Sequence, residues 1–340
     1  MFKIIQPEDQ VISSDSITGT VWSNNNPTLS NFFTSSIQVA GNTGKFYFHV
    51  YQVASTDAAS AVQFDIAYAD EFGSGSLFYN PLVTGSSPSR TIYGQYQNLV
   101  LSDDTEKFIF GGVTSSHFYS IAPDRARFKE KLLPGTMTLK LSGSGANNNL
   151  FLTDNSKNTS TVTFNNAGRV YQVVSGSEGK VYIGVNTSGF TTNSGSYGLF
   201  LPDIATILLN GYALDGPTGG QGLALATNRQ MDVNAQNQKL LYNALKFGGQ
   251  FKLNSEETLT SDFLFIRAKN QEFNFSENPS FISGSTGAVL YDSFVDNPQV
   301  YITTVGMYNE ANELLAVAKM SRPLLKDFTK EILVRVKLDF

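Results

Sequence analysis

Apolar and polar residues alternate with a period of two at intervals along the whole chain. The runs are rich in β-branched and aromatic residues: 45–53 (KFYFHVYQV), 62–68 (VQFDIAY), 136–141 (TMTLKL), 159–164 (TSTVTF) and 170–174 (VYQVV). Side chains two apart share one face of a strand, so each run predicts a strand with one buried face. Between the runs lie clusters that break regular structure, at 73–76 (GSGS), 85–89 (GSSPS), 142–149 (SGSGANNN) and 175–179 (SGSEG). Turns this close together imply antiparallel neighbours, because parallel strands need crossovers of a dozen residues or more. The expected fold is mainly β, an antiparallel β-sandwich or pair of packed sheets with long loops and one or two short helices.

One helical pattern is clear. After Asp232 or Asn234 as N-cap, Leu240, Leu241, Ala244 and Leu245 share a face, and Gly248-Gly249 supplies a left-handed stop. Residues 123–133 (PDRARFKEKLL) read either as a second helix or as an edge strand before Pro134-Gly135. Near the C-terminus, 300–308 and 313–320 predict a hairpin across Asn309–Asn312. Ser321-Arg322-Pro323 predicts a corner, and 331–340 a closing strand that ends on Phe340. The glycine-rich stretch 211–222 divides a β-rich region, 1–210, from a region 223–340 with the helix, the hairpin and the last strand, unless it is a long loop within one domain. No period of 20–50 residues repeats.

Composition shifts attention from chemistry to assembly. The 340 residues are 41% hydrophobic and 12% aromatic, but only 16% are charged. A surface with so few charges resists association poorly, so partner subunits are expected to cover much of it. A net charge of −5 offers no field for phosphates, and no nucleic-acid partner is expected. The absence of cysteine excludes disulfides, thiolate clusters, a cysteine nucleophile and sulfur zinc sites. The opening MFKIIQPEDQVISS has no signal-peptide core, and the longest apolar stretch, 204–209, is far short of a membrane span, so no membrane partner is expected.

Residues able to carry a reaction are few and unarranged. His49 reads as an outward member of a strand whose other face is Phe and Val, and His117 as a loop residue; no G-x-S-x-G elbow accompanies them. The carboxylate pairs Asp70-Glu71, Asp103-Asp104 and Glu256-Glu257 read as turns or helix starts, because adjacent strand residues point to opposite faces. Asp154-x-Ser156-x-Asn158 has the opening rhythm of a calcium loop without its glycine or closing glutamate. No catalytic residue, cofactor or metal is expected. Trp22 beside SNNNP reads as a hydrophobic plug, with a sugar-stacking ring as the other reading. Arg90, Tyr93 and Tyr96 have the residue types of interface contacts, though the same tyrosines also suit packing within a strand.

The hairpin carries a family resemblance. Val305-Gly306-Met307-Tyr308 turning into Leu315-Ala316-Val317-Ala318, then Arg322-Pro323 and the closing strand to Phe340, resembles the baseplate wedge proteins of contractile-tailed bacteriophages of the gene product eight group, in the form found in phages of marine cyanobacteria. The matching residues cover about forty positions. The resemblance implies a β-rich structural protein of the virion, without a catalytic site, assembled in the host cytoplasm. It also implies a homodimer that joins other wedge proteins. Contacts are expected at Arg90, Tyr93 and Tyr96, at the loop from Asn278 to Phe281, at the Arg322-Pro323 corner and at Phe340. Another tail or neck component, or a carbohydrate-binding or tail-spike-like β module, is the alternative.

Overall fold

The computed structural model describes residues 3–34, 47–73, 88–143, 149–182, 195–216, 223–225, 227, 236–276 and 278–339. Along the chain the strands are β1 (Gln10–Thr20), β2 (Thr28–Leu29), β3 (Tyr47–Tyr51), β4 (Val62–Asp70), β5 (Ile109–Phe110), β6 (Val113–Thr114), β7 (His117–Pro123), β8 (Lys131–Leu132), β9 (Thr138–Ser142), β10 (Asn149–Asp154), β11 (Thr163–Asn165), β12 (Gly168–Ser177), β13 (Lys180–Val181), β14 (Gly198–Leu201), β15 (Thr206–Asn210), β16 (Gln250–Lys252), β17 (Asn254–Ala268), β18 (Val300–Tyr308), β19 (Leu314–Lys326) and β20 (Ile332–Asp339). The helices are α1 (Ser89–Val100), α2 (Gly211–Leu214), α3 (Gln236–Gly248) and α4 (Ser293–Asp296). The chain is mainly β, with antiparallel neighbours, as the alternation predicts. It divides into two compact units: a larger one, Ile17–Glu257, and a smaller one that combines Met1–Ser16 with Thr258–Phe340. The stretch 211–222 belongs to the larger unit; its start forms α2, and 217–222 lie outside the described residues, as do Asp232 and Asn234.

The larger unit is built on a twelve-stranded sheet in the order β2-β16-β9-β10-β12-β14-β15-β7-β4-β3, with β11 and β13 also paired to β12. At its centre the alternation disappears because both faces are buried. In β15, Ile207 and Leu209 enter one apolar cluster and Leu208 the other. In β7 the consecutive residues Phe118 and Tyr119 do the same. Helix α1 contributes Tyr93 and Val100 to the cluster of Phe108, Phe118 and Leu208, while α3 contributes Leu241, Ala244 and Leu245 to that of Phe48, Tyr119 and Ile207. The sheet curls far enough that Trp22 packs against both Phe64 of β4 and Phe251 of β16, at 5.8 and 4.8 Å between ring centres.

Several local expectations change. Residues 89–100 form a helix rather than a strand, and its buried residues Ser89, Tyr93, Gln97 and Val100 recur at helical spacing. Residues 123–133 are neither one helix nor one strand. Pro123 ends β7, the Asp124 carboxylate accepts the Ala126 N–H at 2.9 Å to start a single 3-10 turn, and β8 follows. Asn254–Glu257 opens β17 instead of capping a helix, with Ser255 opposite Leu132. The run 159–164 reaches strand geometry only at β11. His117 lies in β7, fully buried, not in a loop. Gly211 starts α2 directly above it, where an added Cβ would stand 2.1 Å from the imidazole Cδ2, so only glycine fits there.

In the smaller unit β17 is flanked by β1 and β20. The β17 and β20 strands pair from Ser261 opposite Asp339 to Ala268 opposite Ile332. Strands β18 and β19 form a separate two-stranded ribbon, the predicted hairpin. Its turn is held by Asn309, whose side-chain oxygen accepts the Glu313 N–H at 2.8 Å and whose Nδ2 donates to the Glu313 carboxylate at 2.7 Å. The predicted corner at Arg322-Pro323 is instead a bulge within β19. Lys319 lies opposite Thr304 and Leu324 opposite Ile302, so residues 320–323 face Thr303 alone. Pro323 has no N–H to give the ladder, and the strand accommodates it by slipping register.

Candidate assembly surface

Apolar burial is divided very unequally between the two units. Both apolar clusters of the described residues belong to the larger unit. In the smaller one, the buried apolar side chains are Leu264, Ala268 and Val336. Among the described residues, most of the exposed large apolar side chains lie there too, including Ile12 at 66%, Leu315 at 65% and Tyr301 at 62% exposure. At the base of the ribbon the buried residue is a cation. Lys326 is fully buried, and its ammonium donates to the carbonyl of Asn270 and the Asn274 side-chain oxygen, both at 2.8 Å, and to the carbonyl of Asp327 at 2.9 Å. Burial pulls the pKa of this ammonium down, against the opposing charges of Asp327, Glu272 and Glu331. The Asp327 carboxyl is held at about 2, first by the Thr329 hydroxyl at 2.7 Å and also by the Thr329 N–H and Lys330.

The ribbon explains why Tyr301 and Leu315 stay uncovered. A two-stranded ribbon has no second layer, and alone in water it is marginal at best. Val305 opposite Ala318 and Met307 opposite Ala316 form one face; Thr304 opposite Lys319 and Gly306 opposite Val317 form the other. Tyr308 and Leu314 close over Gly306, where an added Cβ would stand 3.0 Å from the tyrosine ring and 3.4 Å from Leu314 Cδ1. Tyr308, Leu314, Leu315 and Val317 remain exposed. The sequence carried a signal for this, since five apolar residues in a row, Leu314 to Ala318, make both faces of a hairpin strand apolar. A surface of this kind is the usual mark of a site that another chain covers.

The residues singled out from the sequence fall in different places. Tyr93 is fully buried, with ring centres 5.4 Å from Phe108 and 5.6 Å from Phe118, and burial raises its phenol pKa to about 12; it is a core residue, not a surface contact. Tyr96 packs edge-on to Phe118 at 5.8 Å, and burial raises its pKa as well. The Arg90 guanidinium donates to the carbonyl of Glu71 and lies 5.9 Å from the Tyr93 ring centre. These three residues tie α1 to the larger unit. Asn278 and Phe281 lie in the smaller unit, where the Asn278 side chain accepts the Ser280 N–H at 3.2 Å and Phe281 packs with Phe294 and Tyr291 at 5.4 and 6.4 Å. Arg322 and Pro323 are exposed on the β19 bulge. Phe340 lies outside the described residues.

Polar groups elsewhere serve the fold. His49 bonds Asp65 on the adjacent strand. His117 Nε2 lies 3.4 Å from Asp215, whose other oxygen accepts the Thr227 N–H at 3.1 Å. The Asp154 carboxylate accepts the Gly135 N–H at 2.8 and 2.9 Å and the Ser156 N–H at 3.2 Å, which closes a turn. Among the described residues no group of three or more His, Asp or Glu is placed to hold a metal, and no helix is long and apolar enough to cross a membrane. Trp22 is 3% exposed, so its ring offers no face on which a sugar could stack. Comparison with family models, with curated proteins and with solved structures returns no match.

Proposed function

We propose that the chain is a structural subunit of a contractile phage tail, specifically a baseplate wedge protein that works as a dimer and joins neighbouring wedge proteins in the virion. The observation that carries the reading is the smaller unit, which buries few apolar side chains and exposes many. Apolar area left in water is a cost that a partner surface relieves, and obligate subunits resemble a core cut in two. The resemblance of the hairpin and closing strand to wedge proteins supports the specific role. Sedimentation velocity and native mass on the purified chain, alone and mixed with the gene products encoded beside it, test the reading. A dimer that takes up one or two of those products in defined stoichiometry is expected. A chain that ignores them but is stabilised by a bacterial surface polysaccharide would overturn it in favour of a sugar-binding module.

A further inference from the structure

The ribbon carries four exposed charges that form no ion pair with the described residues: Glu310 and Glu313 at its turn, Lys319 and Arg322 on β19. Glu313 has only the local bond from Asn309. The ribbon is therefore polarised along its length, acidic at the tip and basic toward the base. Its own ends do not meet, because Glu313 and Arg322 are separated along one strand by roughly 25–30 Å at about 3.3 Å per residue. Between the charged ends lie Tyr308, Leu314, Leu315 and Val317, all exposed, and Gly306, which has no side chain of its own to project.

We propose that this ribbon docks on the same ribbon of a second copy, antiparallel about a two-fold axis, so that each acidic turn meets the other's Lys319 and Arg322. The inference rests on the assembly reading and names the surface through which two copies pair. A two-fold contact uses every complementary pair twice, and its axis falls near Val317 and Gly306, midway between the acidic and basic ends. A parallel arrangement would place acid on acid and base on base, and like charges brought together at an interface are strongly unfavourable. Specific interfaces cover about 800 Å² on each partner. The exposed aromatic and aliphatic side chains along the ribbon supply the apolar part of that area.

The test uses two full-length variants. In K319E/R322E the ribbon becomes acidic throughout, and in E310K/E313K basic throughout. Each variant alone is expected to associate roughly 10–100-fold more weakly than the wild-type dimer in sedimentation velocity. An equimolar mixture of the two is expected to recover a dimer, because acid again faces base at both ends. Misfolding could not produce that recovery. The contact is overturned if the wild type is a monomer, if either variant alone dimerises like the wild type, or if the mixture stays monomeric. A monomer that still joins the neighbouring gene products would remove this contact and the dimer with it, and leave standing only the joining of neighbouring wedge proteins; a chain that joins nothing would remove both.

Discussion

The rings of Phe64 and Phe251 meet edge to face at 5.5 Å, although β9, β10, β12, β14, β15 and β7 separate their strands in the sheet. Contact between residues so far apart in strand order requires the sheet to curl back on itself, and the right-handed twist of neighbouring strands supplies the curl. Trp22 completes the junction by touching both rings. Helix α3 joins the same cluster, and Tyr242 donates its hydroxyl to the carbonyl of Phe32 at 3.0 Å. One apolar interior thus forms from the two ends of a single sheet.

Phe251→Ala removes a ring from that junction. Truncation of a buried phenylalanine costs about 3–5 kcal/mol, the lost transfer energy plus the cavity left behind. Trp22 is the only tryptophan and lies against Phe251, so its fluorescence in urea reports the loss directly. A cost below about 1 kcal/mol would show that the junction does not depend on this ring.

How much of the fold is legible in the sequence depends on how each element is buried. Strand β4 announces itself by alternation, because Phe64, Ile66 and Tyr68 are fully buried while Asp65 and Ala67 between them are only half-buried. So does the α3 face, and so does the ribbon. Strand β15 does not, since burial on both faces erases the period of two. Helix α1 is obscured by Thr91, Ile92 and Tyr93, which favour strands, and by Gly94, which weakens a helix; the four-residue spacing of Ser89, Tyr93 and Gln97 is the evidence that outweighs them. Of the candidate assembly surface, the apolar run Leu314–Ala318 is visible. The contribution of Met1–Ser16 to the same compact unit is not, because pairing between distant segments leaves no local mark.

Glycines at 94 and 248 give opposite expectations for the same substitution. Gly94 lies within α1 with open space where a Cβ would go, so Gly94→Ala is expected to stabilise the chain by about 0.5–1 kcal/mol through helix propensity and unfolded-state entropy. A Cβ on Gly248 would stand 1.9 Å from the carbonyl oxygen of Lys140, where α3 approaches β9. Gly248→Ala must push the helix off the strand and is expected to cost about 1–3 kcal/mol. Paired urea titrations decide the matter: two stabilising shifts would contradict the close approach at Gly248, and two destabilising shifts the open space at Gly94.

Alkaline pH should destabilise the larger unit through its buried tyrosines. Burial raises the Tyr93 and Tyr197 phenols from about 10 to about 12, with the Glu71 charge also raising Tyr93. The folded state then holds these protons more tightly than the unfolded state does. Their contribution is fully present below pH 10 and is lost as pH rises through about 12. Urea midpoints measured across that window are expected to fall, and to fall less in Tyr93→Phe. An identical slope in the variant would mean that Tyr93 does not titrate with unfolding.

Lys326→Met probes what holds the base of the ribbon. Methionine matches the length of the lysine stem but gives no donor to the carbonyls of Asn270 and Asp327 or to the Asn274 side chain. The carbonyls of Asn270 and Asp327 keep the Asn274 amide and the Lys330 N–H as donors, but the buried Asn274 side-chain oxygen is left without one, at a cost of about 1–3 kcal/mol, whereas the methionine itself is comfortable out of water. The loss is therefore expected to be local to the smaller unit. Amide hydrogen exchange should accelerate over residues 269–274 and 324–327 while β15, buried on both faces in the larger unit, keeps its protection. Should exchange in those segments stay at the wild-type rate, the three bonds to Lys326 are not what orders them. Should β15 accelerate as much, the lysine supports the whole chain and not the ribbon alone.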